Sequence, residues 1–93
     1  LSQNDAERYA QMTDVFPNPA SGSVRFSWVA DTAPAPAPEI WFSDQLGRKI
    51  QLPVKRETAK EVEYDVTGIR NGLYTAHVTY RGTSFIKRVV VLQ

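Results

Sequence analysis

Residues 72–93 constrain the fold more than any other part of this sequence. Apolar and polar residues alternate on both sides of Arg81-Gly82, which predicts two strands joined by a tight turn. The ends of a chain fray unless other parts of the molecule hold them. Here residues 89–92 are apolar and mostly β-branched, the composition of a strand inside a sheet. We therefore expect the end of this chain to be folded, and a folded end can serve as a recognition signal.

Alternation with a period of two also runs through most of the chain after residue 22. It predicts half-buried strands at residues 23–28, 39–44, 48–54, 62–66, 73–80 and 83–92. In the third of these, Ile50, Leu52 and Val54 share one face, and Pro53 reduces the far end to a sheet edge or a bulge. Six or seven short strands, with turn signals about every 8–12 residues, are typical of an all-β fold with two antiparallel sheets packed face to face.

The remaining segments are interpreted as connections. Residues 1–14 are polar and mixed, which is typical of a linker or lead-in to a domain at residues 15–93. The segment 30–38 ends in alternating alanine and proline, which favours an exposed and rather stiff loop. Residues 55–60 are mostly charged, and we expect them to be solvated.

The composition argues against several classes of function. Eleven cationic and ten anionic side chains leave a formal charge of +1, which does not favour the dense basic face of a nucleic-acid-binding protein. The chain has no cysteine for a disulfide or a thiolate metal site. It begins without a methionine or a signal-like segment, and we expect it to be a piece of a longer protein. We expect this piece to be monomeric.

No set of residues predicts catalysis. The single histidine, His77, lies on the polar face of its strand, which favours an outward-facing or pairing role over that of a catalytic base. One histidine without cysteine does not supply the ligands of a zinc site. The alternating acids Glu61, Glu63 and Asp65 are typical of a solvated outer face rather than of a glycosidase pair. We therefore predict no catalytic residue, no metal and no cofactor.

The two tryptophans have different expected environments. Trp28 shares the apolar face of its strand and is predicted to lie in the core. Trp41 lies between Ile40 and Phe42, so one residue of this trio must point away from the core. Burial of Trp41 between a sheet and a loop is the favoured interpretation. An outward Trp41 would instead be available to stack on a sugar ring or to fill a protein interface.

Four motifs occur in order over residues 15–93: Phe16-Pro-Asn-Pro-Ala20; Asp44-Gln-Leu-Gly-Arg48; Asp65-Val66 with Ile69 and Asn71-Gly-Leu-Tyr74; and the closing Lys87-Arg-Val-Val-Val91. The first is similar to a Tyr/Phe-Pro-Asn-Pro opening and the second to an Asp-x-x-Gly-Arg/Lys turn. Together the four motifs resemble those of the type IX secretion C-terminal sorting domains of Bacteroidetes and their relatives. Phe16 replaces the more usual tyrosine, and the alanine-proline loop looks like a local insertion.

The resemblance implies the residues of a sorting motif: Pro17, Asn18, Pro19, Asp44, Gly47, Gly72, Tyr74, Lys87, Arg88, Val89 and Val91. Local chemistry gives several of them a structural expectation. The two prolines stiffen the chain around Asn18, which can bond nearby backbone as an Asx-turn. Gly47 is expected at a positive φ, and Gly72 in a conformation that disfavours a Cβ. Lys87 and Arg88 must face opposite sides of their strand, and the inward one must extend along its aliphatic stem.

The resemblance also implies a function. Such a domain is an immunoglobulin-like sandwich at the end of a secreted cargo, often a hydrolase, and the outer-membrane type IX translocon recognises it. A sortase-like protease then removes the domain and attaches the cargo to surface lipopolysaccharide, or the domain stays and holds the cargo at the cell surface. This implies a secreted or cell-surface location on the exterior of the outer membrane.

Two other functions remain open at the level of sequence. A carbohydrate-binding β-sandwich would use Trp41 and tyrosines as stacking platforms. A fibronectin-like spacer would have only a structural role. Both, like the sorting domain, are non-catalytic.

Overall fold

The computed structural model describes residues 10–11, 13–28 and 38–93. Its eight strands are β1 (Thr13–Ser21), β2 (Ser23–Trp28), β3 (Glu39–Ser43), β4 (Lys49–Ile50), β5 (Val54–Glu57), β6 (Glu61–Asp65), β7 (Gly72–Tyr80) and β8 (Thr83–Val91). The predicted all-β fold is confirmed. The alanine-proline loop, apart from Pro38, and most of the expected lead-in lie outside the described residues, whereas Thr13 and Asp14 already belong to β1.

The strands form a sandwich in which β1 takes part in both sheets. The first sheet has the order β1-β2-β6-β5 and the second the order β4-β3-β7-β8, with antiparallel neighbours within each. Residues 13–16 and Ser21 of β1 pair with β2, and Ala20 pairs in parallel with Val91 of β8. The two orders correspond to the A-B-E-D and C′-C-F-G sheets of immunoglobulin-like domains.

A tyrosine at the start of β7 supports the same assignment. The Tyr74 hydroxyl donates a 2.7 Å hydrogen bond to the carbonyl of Arg70, four residues earlier in the chain. This is the geometry of the tyrosine corner, which in immunoglobulin-like sandwiches fixes the crossover into the equivalent strand. Tyr74 therefore has a structural role in addition to its place in the motif.

The core lies between the two sheets and is built around three aromatic rings. Phe26 of β2 contacts Phe42 and Tyr64 in edge-to-face geometry, with ring centroids 5.8 and 5.9 Å away. Trp28 is buried in the same core, as predicted. On β6 the apolar residues alternate with Glu61 and Glu63, so the acids lie on the outer side of the first sheet. Aromatic pairs of this kind contribute beyond the area they bury.

The predicted third strand is wrong in extent. The chain forms only the short β4, leaves the second sheet, and then forms β5 at the edge of the first sheet. Pro53 lacks the N–H needed to continue a ladder, so the chain crosses between sheets here, with Leu52 buried and Val54 exposed. The charged segment after Pro53, expected to be a solvated connection, therefore contains β5. The edge or bulge expected beside Pro53 is confirmed, because β5 lies at the edge of its sheet and its register shifts between Val54 and Arg56.

The closing hairpin is confirmed. β7 and β8 pair along their whole length, from Gly72 opposite Val91 to Tyr80 opposite Thr83. Arg81 and Gly82 have φ values of 52° and 78°. Two successive residues with positive φ are the requirement of a two-residue type I′ turn, whose twist matches that of paired strands.

The aromatic core generates a stability prediction. Phe26→Ala removes a fully buried ring and both of its edge-to-face contacts, so we expect the free energy of unfolding to fall by about 3–5 kcal/mol. Urea unfolding of the 93-residue chain, followed by tryptophan fluorescence, measures the loss. The control Val54→Ala, at a 52% exposed position, should change it by less than about 0.5 kcal/mol. Similar effects of the two substitutions would contradict the core assignment.

Candidate functional site: the anchored C-terminal strand

The last strand presents two distinct faces. Lys87, Val89 and Val91 lie on the inner side of β8, where both valines are buried and Lys87 is half-buried. Arg88 lies on the outer side and is exposed. The prediction that Lys87 and Arg88 face opposite sides is confirmed, and Lys87 is the inward residue.

Asn18 joins the start of the domain to this strand. Its side-chain amide Nδ2 donates to the carbonyl of Arg88 at 3.0 Å, and its Oδ1 accepts from the N–H of Val90 at 2.9 Å. Pro17 and Pro19 have no N–H, so the backbone around Asn18 cannot supply a normal ladder. The side-chain amide thus takes the place of a paired backbone group, and we call this pair of hydrogen bonds the Asn18 bridge. The expected Asx-turn is wrong, because both partners lie on β8.

Backbone and side-chain bonds continue the attachment to the end of the chain. The N–H of Leu92 donates to the carbonyl of Ala20 at 2.9 Å. The Gln93 side chain donates to the carbonyl of Val66 at 2.5 Å and accepts from the N–H of Gly22 at 3.2 Å. The N–H of Gln93 donates to Oδ1 of Asn71 at 2.8 Å. The terminus is therefore bonded to β1 and to two loops, the β1–β2 turn and the β6–β7 connection.

A second motif forms a closed turn after β3. The Asp44 carboxylate accepts hydrogen bonds from the N–H groups of Leu46 and Arg48 and from Nε of Arg48, each at 2.9 Å. Gly47, with φ of 81°, donates its N–H to the Asp44 carbonyl at 3.0 Å. The positive φ expected for Gly47 is confirmed. In this turn the aspartate accepts the hydrogen bonds, the glycine takes the positive φ, and the arginine donates to the carboxylate.

This turn and the Asn71-Gly72 segment form one groove, which we call the end groove. It has a volume of about 210 Å³ and is lined on one side by Asp44 and Arg48 and on the other by Asn71, Gly72 and Tyr74. Gly72 has φ of 158°, and a Cβ built on it would lie 3.8 Å from Nε2 of Gln45 across the groove. Two motifs that are far apart in sequence therefore meet at the end of the sandwich where β8 finishes.

Two aspartates in these turns have lowered pKa values. Partial desolvation raises the pKa of Asp44, but the hydrogen bonds and charge of Arg48 and the N–H of Leu46 hold it below its ordinary value of 3.8. The Asp65 carboxylate accepts from the hydroxyl and the N–H of Thr67 at 2.6 and 2.9 Å. These two bonds, with a smaller contribution from Lys55, lower the pKa of Asp65 as well. Both turns are therefore stabilised by the ionised carboxylates.

Trp41 lies away from the end groove. It is 41% exposed on the outer side of the second sheet, so the favoured interpretation of a buried Trp41 is wrong. Its ring stacks on His77 at 3.7 Å between centroids, and Nε2 of His77 lies 2.9 Å from the Ser43 hydroxyl. The outward, pairing role predicted for His77 is confirmed. Within residues 10–11, 13–28 and 38–93 no group of three potential metal ligands occurs, and no helix is long and apolar enough to span a membrane.

The structure brings together some of the sequence-predicted residues. Asp44, Gly72 and Tyr74 meet at the end groove, whereas Asn18 meets Arg88 on the edge of β8. Sequence reasoning missed Ala20 and Gln93. Ala20 is completely buried, and its carbonyl accepts a hydrogen bond from the Leu92 N–H. The available sequence signal for this position was a small residue next to Pro19. For Gln93, no local pattern indicated a role.

Comparison with known proteins agrees with this geometry. The family described as secretion system C-terminal sorting domain matches residues 14–92, and the chain belongs to this family. It is thus a non-catalytic sorting signal for type IX secretion, which implies export from the cell through that secretion machinery. No curated protein matches the chain. No solved structure matches it either.

The Asn18 bridge generates a prediction that uses a matched pair of variants. Asn18→Asp keeps the acceptor for Val90 but places a carboxylate oxygen against the carbonyl of Arg88, so we expect a loss of about 1–2 kcal/mol of stability. In Asn71→Asp the one bond to Gln93 uses Oδ1 and is retained, so stability should change little. Urea unfolding at pH 7 in about 0.3 M salt, which screens repulsion from the nearby terminal carboxylate, compares the two. An equal loss in both variants would contradict the bridge.

The lowered pKa values of Asp44 and Asp65 predict a loss of stability in acid. A carboxylate whose pKa is lower in the folded than in the unfolded chain stabilises the fold above its ordinary pKa, here 3.8, and this stabilisation disappears as the pH falls through the folded value. Asp44→Asn should therefore be less stable than the original chain at pH 7, and the difference should shrink as the pH falls below 3.8 and through the folded pKa of Asp44. Thermal unfolding from pH 7 to pH 2 measures the difference in stability between the two chains.

The control for this comparison is Asp14→Asn, at an exposed position of β1 outside both turns. Its pH profile should follow that of the original chain. The role of the ionised carboxylate would be refuted if the difference in stability between Asp44→Asn and the original chain stayed constant over the whole pH range.

Proposed function

We propose that this domain is the C-terminal module of a larger secreted protein, and that the type IX translocon recognises the folded end of the sandwich. The observation that supports this most is the attachment of the C-terminal strand. The Asn18 bridge, Ala20 and two loops hold residues 88–93 in one conformation. An ordered terminus offers a fixed shape to a receptor, whereas a frayed one must be ordered at the moment of binding.

The proposed sorting motif divides into two structural groups. Asp44, Gly47, Gly72 and Tyr74 shape the end groove and its turns, and Asn18 positions β8. Pro17, Pro19, Val89 and Val91 fix strand geometry or fill the core, and Lys87 and Arg88 supply the charges of β8. We assign direct contact with the translocon to the exposed members, and to the others the role of holding them in place.

The events after recognition follow as further parts of the proposal. A sortase-like protease removes the domain and attaches the cargo to lipopolysaccharide on the exterior of the outer membrane, or the domain remains and holds the cargo at the cell surface. The cargo is a hydrolase, and the domain acts as a monomer. These roles rest on the family resemblance and not on any single contact in the sandwich.

A carbohydrate-binding function is the second candidate, and the exposure of Trp41 is the observation that favours it. Sugar-binding platforms need a free aromatic face. One face of Trp41 already stacks on His77, with the two ring planes only 6° from parallel. Sorting therefore remains the better supported function.

The recognition of the terminus can be tested with a secreted reporter that carries this chain at its C-terminus, in a bacterium with a type IX system. Deletion of residues 87–93 removes all of the anchored residues 88–93, and we expect the reporter to accumulate in the periplasm. Because this deletion also removes part of the fold, a second variant keeps all strands and adds a short tag after Gln93. The tag covers the ordered terminus, so export should fall on the order of tenfold, equivalent to about 1.4 kcal/mol of recognition.

The matched control carries the same tag ahead of Leu1, where it leaves the anchored terminus uncovered. Export into the medium or to the cell surface is measured by fractionation and immunoblotting. Equal export of the two tagged reporters and of the truncated one would refute the proposal.

A further inference from the structure

The outer side of the second sheet carries an apolar row that neither the core nor the end groove uses. Trp41 of β3 lies opposite His77 of β7, and His77 lies opposite Ile86 of β8. Trp41 is 41% exposed and Ile86 is 52% exposed. Three neighbouring strands thus place an aromatic and aliphatic surface side by side, which we call the Trp41 face.

This surface is ordered before any partner binds. The rings of Trp41 and His77 stack at 3.7 Å with an interplanar angle of 6°. The imidazole is also held at its edge, where Nε2 of His77 is hydrogen-bonded to the Ser43 hydroxyl at 2.9 Å. A side chain that is already fixed loses little conformational entropy on binding, and tryptophan is among the residues that contribute most at protein interfaces.

Two cations and one carboxylate flank this surface, since Lys49 and Arg88 lie in the row on one side of it and Glu39 begins the row on the other. The neighbouring cross-strand row runs Lys49, Ser43, Thr75, Arg88, with a cation at each end and hydroxyl groups between. Three strand spacings separate Lys49 from Arg88, about 14 Å at the usual distance between paired strands. Nζ of Lys49 also lies 5.6 Å from the centroid of the Trp41 ring. A partner that covers this row needs carboxylates to match both cations.

We propose that the Trp41 face binds an acidic protein segment of the export machinery. An apolar side chain of that segment packs on Trp41 and Ile86, and its carboxylates lie opposite Lys49 and Arg88. This inference rests on the proposed function, since it names a second surface of the domain that the machinery contacts. It also requires acidic side chains on the partner, which recognition of the terminus alone does not require.

A pair of opposite charges at one position tests the proposal. In the reporter with this chain at its C-terminus, Ile86→Glu adds a negative charge to the face and Ile86→Lys adds a positive one, while both remove the same apolar side chain. We expect Ile86→Glu to lower export on the order of tenfold and Ile86→Lys to lower it by no more than about twofold. The control Val54→Glu, equally 52% exposed but on β5 of the first sheet, should export normally.

Two measurements make each outcome decisive. Urea unfolding of the purified variants shows that they are folded, and sedimentation velocity shows whether the chain self-associates through this face. Equal loss or no loss of export in the two Ile86 variants overturns the inference, and so does a dimer that Ile86→Glu dissociates, since the occupant is then a second copy. If the truncated and tagged reporters fail to export while both Ile86 variants export normally, the proposed function stands and this inference falls.

Discussion

The rest of the structure depends on how the last strand is closed off at its outer edge. β8 pairs with β7 on one side, and without β1 its other side would present unpaired N–H and C=O groups. Ala20 can offer its backbone carbonyl to Leu92, but the prolines on either side of Asn18 cannot donate. The amide of Asn18 supplies both a donor and an acceptor with the spacing of a strand. A side chain therefore completes a sheet where the backbone is unable to.

This solution explains why a rigid opening and a folded terminus occur together. The same segment that changes from the first sheet to the second also covers the edge of β8. The terminus then reaches Val66, Gly22 and Asn71, which belong to loops at one end of the sandwich. The end groove opens beside these loops. Order at the terminus and the shape of the groove are thus consequences of one set of contacts, and a receptor can recognise them as a unit.

Sequence patterns predicted the parts of this fold that local chemistry decides. The β7–β8 hairpin, the positive φ at Gly47, the burial of Trp28 and the outward position of His77 follow from alternation and turn chemistry. The chain crossing at Pro53 was predicted only as a weakened strand end, because a proline shows where a ladder stops but not which sheet the chain joins next.

The features that sequence did not predict depend on long-range pairing. The partners of Asn18, Arg88 and Val90, lie 70 and 72 residues further along the chain. Local sequence gives no sign of them, because an asparagine between prolines is more typical of a turn. Burial of Trp41 between a sheet and a loop was the favoured interpretation, but the register of β3 against β7 places it opposite His77 on the outer side. Register sets the face of every residue in a strand, and one residue type cannot reveal it.

Amide hydrogen exchange at Val90 tests the central claim most directly, because its N–H points to Oδ1 of Asn18 and not to β7. We predict that this amide exchanges as slowly as that of Leu92, which is bonded to Ala20, and that Asn18→Ala accelerates exchange at Val90 far more than at the amides of β7. Exchange of the Val90 amide at the rate of an unprotected peptide in the original chain would contradict the account.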